Sequence, residues 1–147
     1  MALVATGVQI VFDCADPDKL ATFWAAALHY KKQDPPTGFA SWQDFLKAQG
    51  IPESEWNSAS AVVDPDGVGP RIYFQRVPEG KVVKNRVHLD LNVGGPRDSP
   101  HDERRRRIDA EVDRLLPLGA RKSRTVEERG ESFVNMFDPE GNEFDVQ

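Results

Sequence analysis

Residues 85–93 read Asn-Arg-Val-His-Leu-Asp-Leu-Asn-Val, and apolar and polar residues alternate along them without a break from Val87 to Val93. Alternation with a period of two predicts a β-strand with one apolar and one polar face. The polar face carries His88, Asp90 and Asn92 in a row. A histidine, a carboxylate and an amide suit either a solvated surface or the lining of a polar cavity.

The composition is that of an ordinary globular domain. The chain has 147 residues, 39% of them hydrophobic and 29% charged, and no apolar run approaches the length needed to cross a bilayer. The N-terminal residues lack a secretory signal, and the single Cys14 excludes both an internal disulfide and a zinc–thiolate cluster. We therefore expect a cytoplasmic protein without membrane partners, and the net charge of −5 argues against nucleic acid.

The first half of the chain predicts a strand, a helix and further strands. Residues 7–13 are rich in β-forming residues, and Asp16-Pro17 then predicts a helix start, because aspartate caps helices and proline favours their first position. This helix is expected to end near Leu28. Strands are predicted at residues 58–64 and 70–77, on either side of the turn Asp64-Pro65-Asp66-Gly67.

The second half repeats this order. Val87–Asp90 occupies the place of Val8–Val11, Ser99-Pro100 predicts the cap of a helix ending near Leu116, and the turn Asp138-Pro139-Glu140-Gly141 copies the earlier turn. Strands are predicted at residues 120–126, 132–138 and 143–147. The repeats span about residues 6–78 and 85–147. Two βαβββ units in one domain, 1–147, predict an α+β fold whose sheets enclose a central concave cavity.

Residues 30–57 are less regular and rich in aromatic side chains. A short helix is predicted between Ser41 and Gly50. The aromatic residues could form a lid over a pocket, but we expect them to plug one end of the core, since large aromatic side chains are usually buried.

Several motifs, taken together, resemble the vicinal oxygen chelate superfamily (glyoxalases, bleomycin resistance proteins and dioxygenases) and, within it, the small glyoxalase-like domains of bacteria. The resemblance covers nearly the whole chain. The motifs are Asp13–Pro17 with Phe23-Trp24, Phe74–Pro78, Arg86–Asp90 and Asp138–Phe144.

The resemblance implies a divalent metal held by side chains from the first and last strands of each unit. By position, these side chains are Gln9, His88, Asp145 and either Gln75 or Tyr73. Oxygen and imidazole ligands would suit Mg²⁺, Mn²⁺, Fe²⁺, Ni²⁺ or Zn²⁺. The set departs from the histidines and glutamates usual in the superfamily, which argues against glyoxalase activity itself.

The resemblance leaves the function open. One hypothesis is a metal-dependent lyase, isomerase or dioxygenase acting on a small oxygen-rich molecule, with Asp90 or Glu143 as general base. The alternative is a metal-free protein that binds a drug-like or aromatic molecule, as resistance proteins of this superfamily do. A third is an accessory domain without a small ligand. A homodimer is also implied.

Overall fold

Each predicted repeat forms a unit with its own four-stranded sheet. The computed structural model of the protein describes residues 2–147, and it divides into unit 1, which ends at Gly80, and unit 2, Lys81–Gln147. Both units combine strands with helices, so the predicted α+β class is confirmed. None of the helices in residues 2–147 has both the length and the apolar character needed to span a bilayer.

Unit 1 has the predicted strand–helix–strands order. Its sheet is ordered β1-β4-β3-β2, and the first strand runs parallel to the last. A 3-10 turn at Glu53–Glu55 precedes β3. The elements are β1 (Ile10–Cys14), α1 (Pro17–Leu28), β2 (Lys31–Lys32), α2 (Trp42–Ala48), β3 (Ala59–Val63) and β4 (Ile72–Arg76).

Unit 2 repeats this connectivity in a sheet ordered β5-β8-β7-β6, with β5 parallel to β8. The shared strand order confirms the internal βαβββ repeat. A 3-10 turn at Leu116–Leu118 follows its helix. The elements are β5 (Asp90–Leu91), α3 (His101–Leu115), β6 (Arg121–Glu128), β7 (Glu131–Phe137) and β8 (Glu143–Val146).

Each unit has a core on one face of its sheet, beneath its long helix. In unit 1, Trp24 of α1 and Phe74 of β4 are both fully buried. In unit 2, Ile108 of α3 lies in the core with Phe144 of β8. Because side chains alternate along a strand, the neighbours of these core residues point to the opposite face. In β7 and β8 those neighbours stay partly exposed, so this second face of the unit 2 sheet is available for function.

The local sequence signals at α1 and at the two turns are confirmed. The Asp16 side chain accepts a hydrogen bond from the backbone N–H of Lys19 at 3.2 Å, and α1 spans the predicted residues. His29 ends the helix in the left-handed region with φ 57°. Gly67 and Gly141 have φ of 69° and 86°, which glycine adopts without strain and the two turns require.

The strand predicted at residues 85–93 is shorter than expected. Only Asp90–Leu91 is regular strand, although backbone hydrogen bonds to β8 extend from Leu89 to Val93. Val87 was expected on the apolar face of the strand but is 81% exposed. Backbone pairing with β8 begins only at Leu89, so Val87 precedes the paired part of the strand.

The predicted cap of α3 is also wrong. The helix begins at His101, and Pro100 occupies the N-cap position without a side-chain hydrogen bond. The backbone N–H of Glu103 bonds to the carbonyl of Pro100 at 3.0 Å, which fixes the helix start one residue later than the Ser99 cap would.

The core-plug interpretation of residues 30–57 is wrong as well. Helix α2 has no buried residue, and Trp42 is 37% exposed. This segment instead contributes Trp42 and Trp56 to the wall of a cavity in unit 1. The short strand β2, which pairs with β3, was not predicted, since two lysines carry no strand pattern.

Candidate functional site

Three side chains of unit 2 that were predicted separately converge. His88 Nε2 lies 3.2 Å from Asp90 Oδ1 and 3.5 Å from Asp145 Oδ2. One ligand atom from each residue lies within 4.8 Å of the other two. Asp145 is the least exposed of the three, with 15% of its side chain accessible, against about two fifths for His88 and Asp90.

Strand geometry produces this cluster. Asp90 of β5 is the direct register partner of Asp145 in β8, so the two carboxylates project side by side from neighbouring strands. His88 precedes Asp90 by two residues, which places both side chains on the same face of an extended chain. The alternation read from the sequence therefore places His88 and Asp90 on one face, and the pairing of β5 with β8 brings Asp145 beside them.

The charges of the cluster are unbalanced. Like charges directly opposite one another on paired strands are destabilising. Yet within residues 2–147 neither Asp90 nor Asp145 has a lysine or arginine nitrogen within 4 Å, and His88 is the one ion-pair partner of each. A divalent cation would relieve this repulsion. Two ligands at 2.0–2.3 Å from one ion lie roughly 3–4 Å apart, so the observed spacing fits a metal.

A row of side chains across the sheet supports Asp145. Asn135 of β7 is its register partner and donates a hydrogen bond from Nδ2 to Asp145 Oδ1 at 2.5 Å. Arg124 of β6 is the register partner of Asn135 and donates from Nε to Asn135 Oδ1 at 3.0 Å. Because Arg124 occupies the amide oxygen, the amide N–H₂ must face Asp145. The row therefore fixes the orientation of one carboxylate of the cluster.

Glu143, predicted as a possible base, holds the segment that leads into β5. Its carboxylate accepts a hydrogen bond from the N–H of Asn85 at 2.8 Å and lies 3.2 Å from the ammonium group of Lys81. Burial alone would raise the pKa of Glu143, but these contacts outweigh it, and the pKa lies below its ordinary value. A carboxylate stabilised in its ionised form is a weaker base, so Glu143 is less suited to that role than an unpaired glutamate.

The remaining predicted ligands belong to unit 1. Gln9 accepts a hydrogen bond from Arg71 at 2.8 Å, and exposed Gln75 pairs in register with Asp13. Because Ile10 pairs with Ile72, Gln9 lies beside Arg71. Arg71 precedes Gln75 by four residues, which is about 13 Å along an extended strand. Unit 1 thus does not bring Gln9 and Gln75 together.

The strand registers relate the two units residue by residue. Val11 pairs with Tyr73 in unit 1 as Asp90 pairs with Asp145 in unit 2. Of the two positions that the sequence left open, Tyr73 is therefore the counterpart of Asp145. Unit 1 has no carboxylate at either position, so the charged donors lie in unit 2.

Sequence reasoning missed Asn135 and Arg124. Nothing in their local sequence marks them, since their roles depend on the register of β6, β7 and β8. The β-bulge between Lys122 and Arg124 sets part of that register. From the sequence, these two residues could have been found only by aligning β6, β7 and β8 correctly across the turns that join them.

The chain belongs to the glyoxalase-like domain family, whose family model matches residues 9–147. This confirms the resemblance to the vicinal oxygen chelate superfamily drawn from the sequence. No curated protein shows significant similarity to the chain.

Solved structures of this superfamily share the fold. The fosfomycin resistance protein FosX from Listeria monocytogenes is 9% identical, with a TM-score of 0.62 over 98% of this chain and 93% of FosX. A mutant of that protein, in complex with Mn(II) and 1S,2S-dihydroxypropylphosphonic acid, is 12% identical, with a TM-score of 0.61 over 99% and 90%. A glyoxalase/bleomycin resistance protein/dioxygenase family enzyme from Burkholderia phytofirmans PsJN is 12% identical, with a TM-score of 0.59 over 94% of each chain.

Proposed function

We propose that this protein is a metal-dependent enzyme, in which His88, Asp90 and Asp145 hold a divalent ion and a small oxygen-rich molecule is the substrate. The observation that carries the proposal is the pair of register-matched carboxylates beside His88, without a lysine or arginine partner among the described residues. One imidazole and two carboxylates suit Mn²⁺, Fe²⁺, Ni²⁺ or Zn²⁺, and Mg²⁺ less well because of the nitrogen ligand.

Each residue near the cluster has a distinct task in this proposal. A bound metal would supply Lewis-acid stabilisation of negative charge on substrate oxygens. Asn135 keeps Asp145 oriented, while Glu143 holds the segment before His88. Phe133 and Phe137 lie on the same face of β7 as Asn135, where their half-exposed rings would shield a substrate from water. Asp90 and Glu143 were each predicted as a general base; in this proposal Asp90 holds the ion instead, and the role of Glu143 as a base stays a prediction.

The substrate class follows from the donor set and from the relatives. A metal held by three side chains leaves positions for two neighbouring substrate oxygens, and the FosX complex contains both Mn(II) and a dihydroxypropylphosphonic acid. Lyase, isomerase and dioxygenase chemistry all use such a site. We propose that the protein catalyses a reaction of one of these three kinds.

Manganese titration tests the proposal. We expect one Mn²⁺ per chain by calorimetry or by electron paramagnetic resonance. Removing a residue that only hydrogen-bonds to a metal ligand already costs about tenfold in affinity, so His88→Ala and Asp90→Asn should each weaken binding by more than that. Asp113→Asn, which removes an exposed carboxylate of α3, should bind as the wild type does. If Mn²⁺ and Zn²⁺ both fail to bind, His88, Asp90 and Asp145 do not form a metal site and the metalloenzyme proposal is wrong.

A second candidate function is metal-free binding of a small molecule. The observation that favours it is a cavity in unit 1 of about 740 Å³, lined by Trp42, Trp56 and Tyr73. This volume lies in the range of known ligand pockets. Ligand binding that survives both chelation and His88→Ala would favour this function over the first.

We further infer a cytoplasmic homodimer. The inference rests on the superfamily resemblance and on Cys14, which is buried and is the single cysteine of the sequence, so that the chain needs no oxidising compartment. Light scattering of the eluting protein should give twice the 16.5 kDa chain mass. A mass equal to one chain would refute the dimer.

A further inference from the structure

The cavity of unit 1 has fixed aromatic walls. The indole N–H of Trp42 donates to the carbonyl of Gln33 at 2.7 Å, and that of Trp56 donates to the carbonyl of Ile51 at 2.9 Å. Both indoles are therefore held by the backbone, and their polar atoms are already satisfied. Tyr73 of β4 lines the same cavity. Oriented aromatic rings of this kind bind planar molecules at a small entropic cost.

Arg71 brings a positive charge into the cavity. Its Nε donates to Gln33 Oε1 at 2.7 Å, its Nη1 donates to Gln9 Oε1 at 2.8 Å, and the guanidinium lies 5.3 Å from the centre of the Tyr73 ring. Both acceptors are neutral amides. Among residues 2–147, no carboxylate oxygen lies within 4 Å of this half-buried guanidinium. Two amides and a ring thus position the charge without neutralising it.

The acidic residues of the cavity wall are already engaged. Asp16 accepts from the backbone of Lys19 as the cap of α1 and from the Asn57 side chain. Asp18 pairs with Lys32 at 2.5 Å, and Glu55 pairs with Arg76 at 3.1 Å. Of the two basic residues that line the cavity, Lys32 is therefore paired with an acid, and Arg71 has no acidic partner among the described residues.

We propose that the unit 1 cavity binds a small planar or aromatic molecule carrying an oxyanion, with Arg71 as the anion-binding residue. Three of the five guanidinium N–H groups have no acceptor among the described residues, and a guanidinium fork matches a carboxylate or phosphonate with two parallel hydrogen bonds. The inference deepens the second candidate function, binding of a small molecule, and it holds whether or not unit 2 binds metal.

The test compares anionic and neutral probes on metal-free wild-type protein. Benzoate and phenylphosphonate carry the oxyanion, and benzamide is the neutral analogue of benzoate. Binding is read by calorimetry and by tryptophan fluorescence, since Trp42 and Trp56 line the cavity while Trp24 is fully buried. We expect saturable binding of both anions, with benzamide about tenfold weaker or worse, as the loss of a charge-assisted hydrogen bond implies.

Variants assign this preference to Arg71. Arg71→Gln should bind benzoate no better than benzamide, and Arg71→Lys, which keeps the charge but loses the fork, should give an intermediate affinity. The matched control is Arg106→Gln, which removes an exposed charge of α3 and should leave binding unchanged. Circular dichroism confirms that each variant is folded.

Two results would overturn the inference in distinguishable ways. If benzoate and benzamide bind wild-type protein equally well, the cavity binds small molecules but Arg71 does not select anions. If neither probe binds, or if calorimetry shows unchanged binding after Trp42→Ala and Trp56→Ala together, the cavity does not bind these anions. The second result would also remove the support that this cavity gives to small-molecule binding, whereas neither result bears on whether His88, Asp90 and Asp145 bind a metal.

Discussion

Replacing Asn135 with alanine removes the hydrogen bond that orients Asp145. The bond is 2.5 Å long, and its acceptor is a carboxylate with only 15% of its side chain exposed. A hydrogen bond to a charged group contributes about 1.5–3 kcal/mol. Without this bond the Asp145 carboxylate is no longer held in one orientation before the ion binds. Removing a residue that supports a metal ligand usually weakens metal binding about tenfold to a hundredfold, and we expect a loss of that size in Asn135→Ala.

The assay is Mn²⁺ titration of Asn135→Ala beside a matched amide variant. Asn92→Ala removes another amide of unit 2, directly after β5, which accepts a hydrogen bond from Gln147 and donates none to Asp145 among the described residues. Arg124→Met should lose less Mn²⁺ affinity than Asn135→Ala, because the side chain of Asn135 stays in place and only its amide group becomes free to rotate. Wild-type Mn²⁺ affinity in Asn135→Ala, or an equal loss in Asn92→Ala, would refute the role assigned to Asn135.

Two further predictions concern stability. Hydrogen bonds from the N–H groups of Gly69 and Asp66 hold the pKa of Asp64 below its usual range. The ionised carboxylate therefore stabilises the fold above about pH 4, and this stabilisation is lost as the pH falls through the pKa of the folded state. Asp64→Ala should therefore lower Tm more at neutral pH than near pH 2; an equal shift at both would contradict this. Phe144 is 1% exposed in the unit 2 core, so Phe144→Ala should cost about 3–5 kcal/mol in urea denaturation, and a loss under about 1 kcal/mol would contradict its burial.

The sequence predicts the parts of the fold that depend on local chemistry. Asp16 and Pro17 place the start of α1 at the correct residue, because capping and a fixed proline φ act within one turn. The two Asp-Pro turns are found for the same reason. Val87 shows the limit of such patterns, since alternation indicates which side chains share a face but not how far a neighbouring strand extends.

The site was predictable in part. His88 and Asp145 follow from the resemblance, and Asp90 follows from the alternation. The sequence predicted Asp90 as a base, whereas the structure places its carboxylate beside His88 and Asp145 in a group that could bind a metal. Asn135 and Arg71 could not be found in this way. Asn135 acts through the pairing of neighbouring strands, and Arg71 acts through the neutral side chains around its charge. Both roles depend on contacts between residues that are distant in the chain.

The location of a bound ion tests the central claim most directly. Crystals of the protein soaked in Mn²⁺ should show an anomalous scattering peak about 2.0–2.4 Å from His88 Nε2 and from carboxylate oxygens of Asp90 and Asp145, and the peak should be absent in Asp90→Asn. A peak elsewhere, or His88 in direct contact with both carboxylates and no peak between them, would contradict the account.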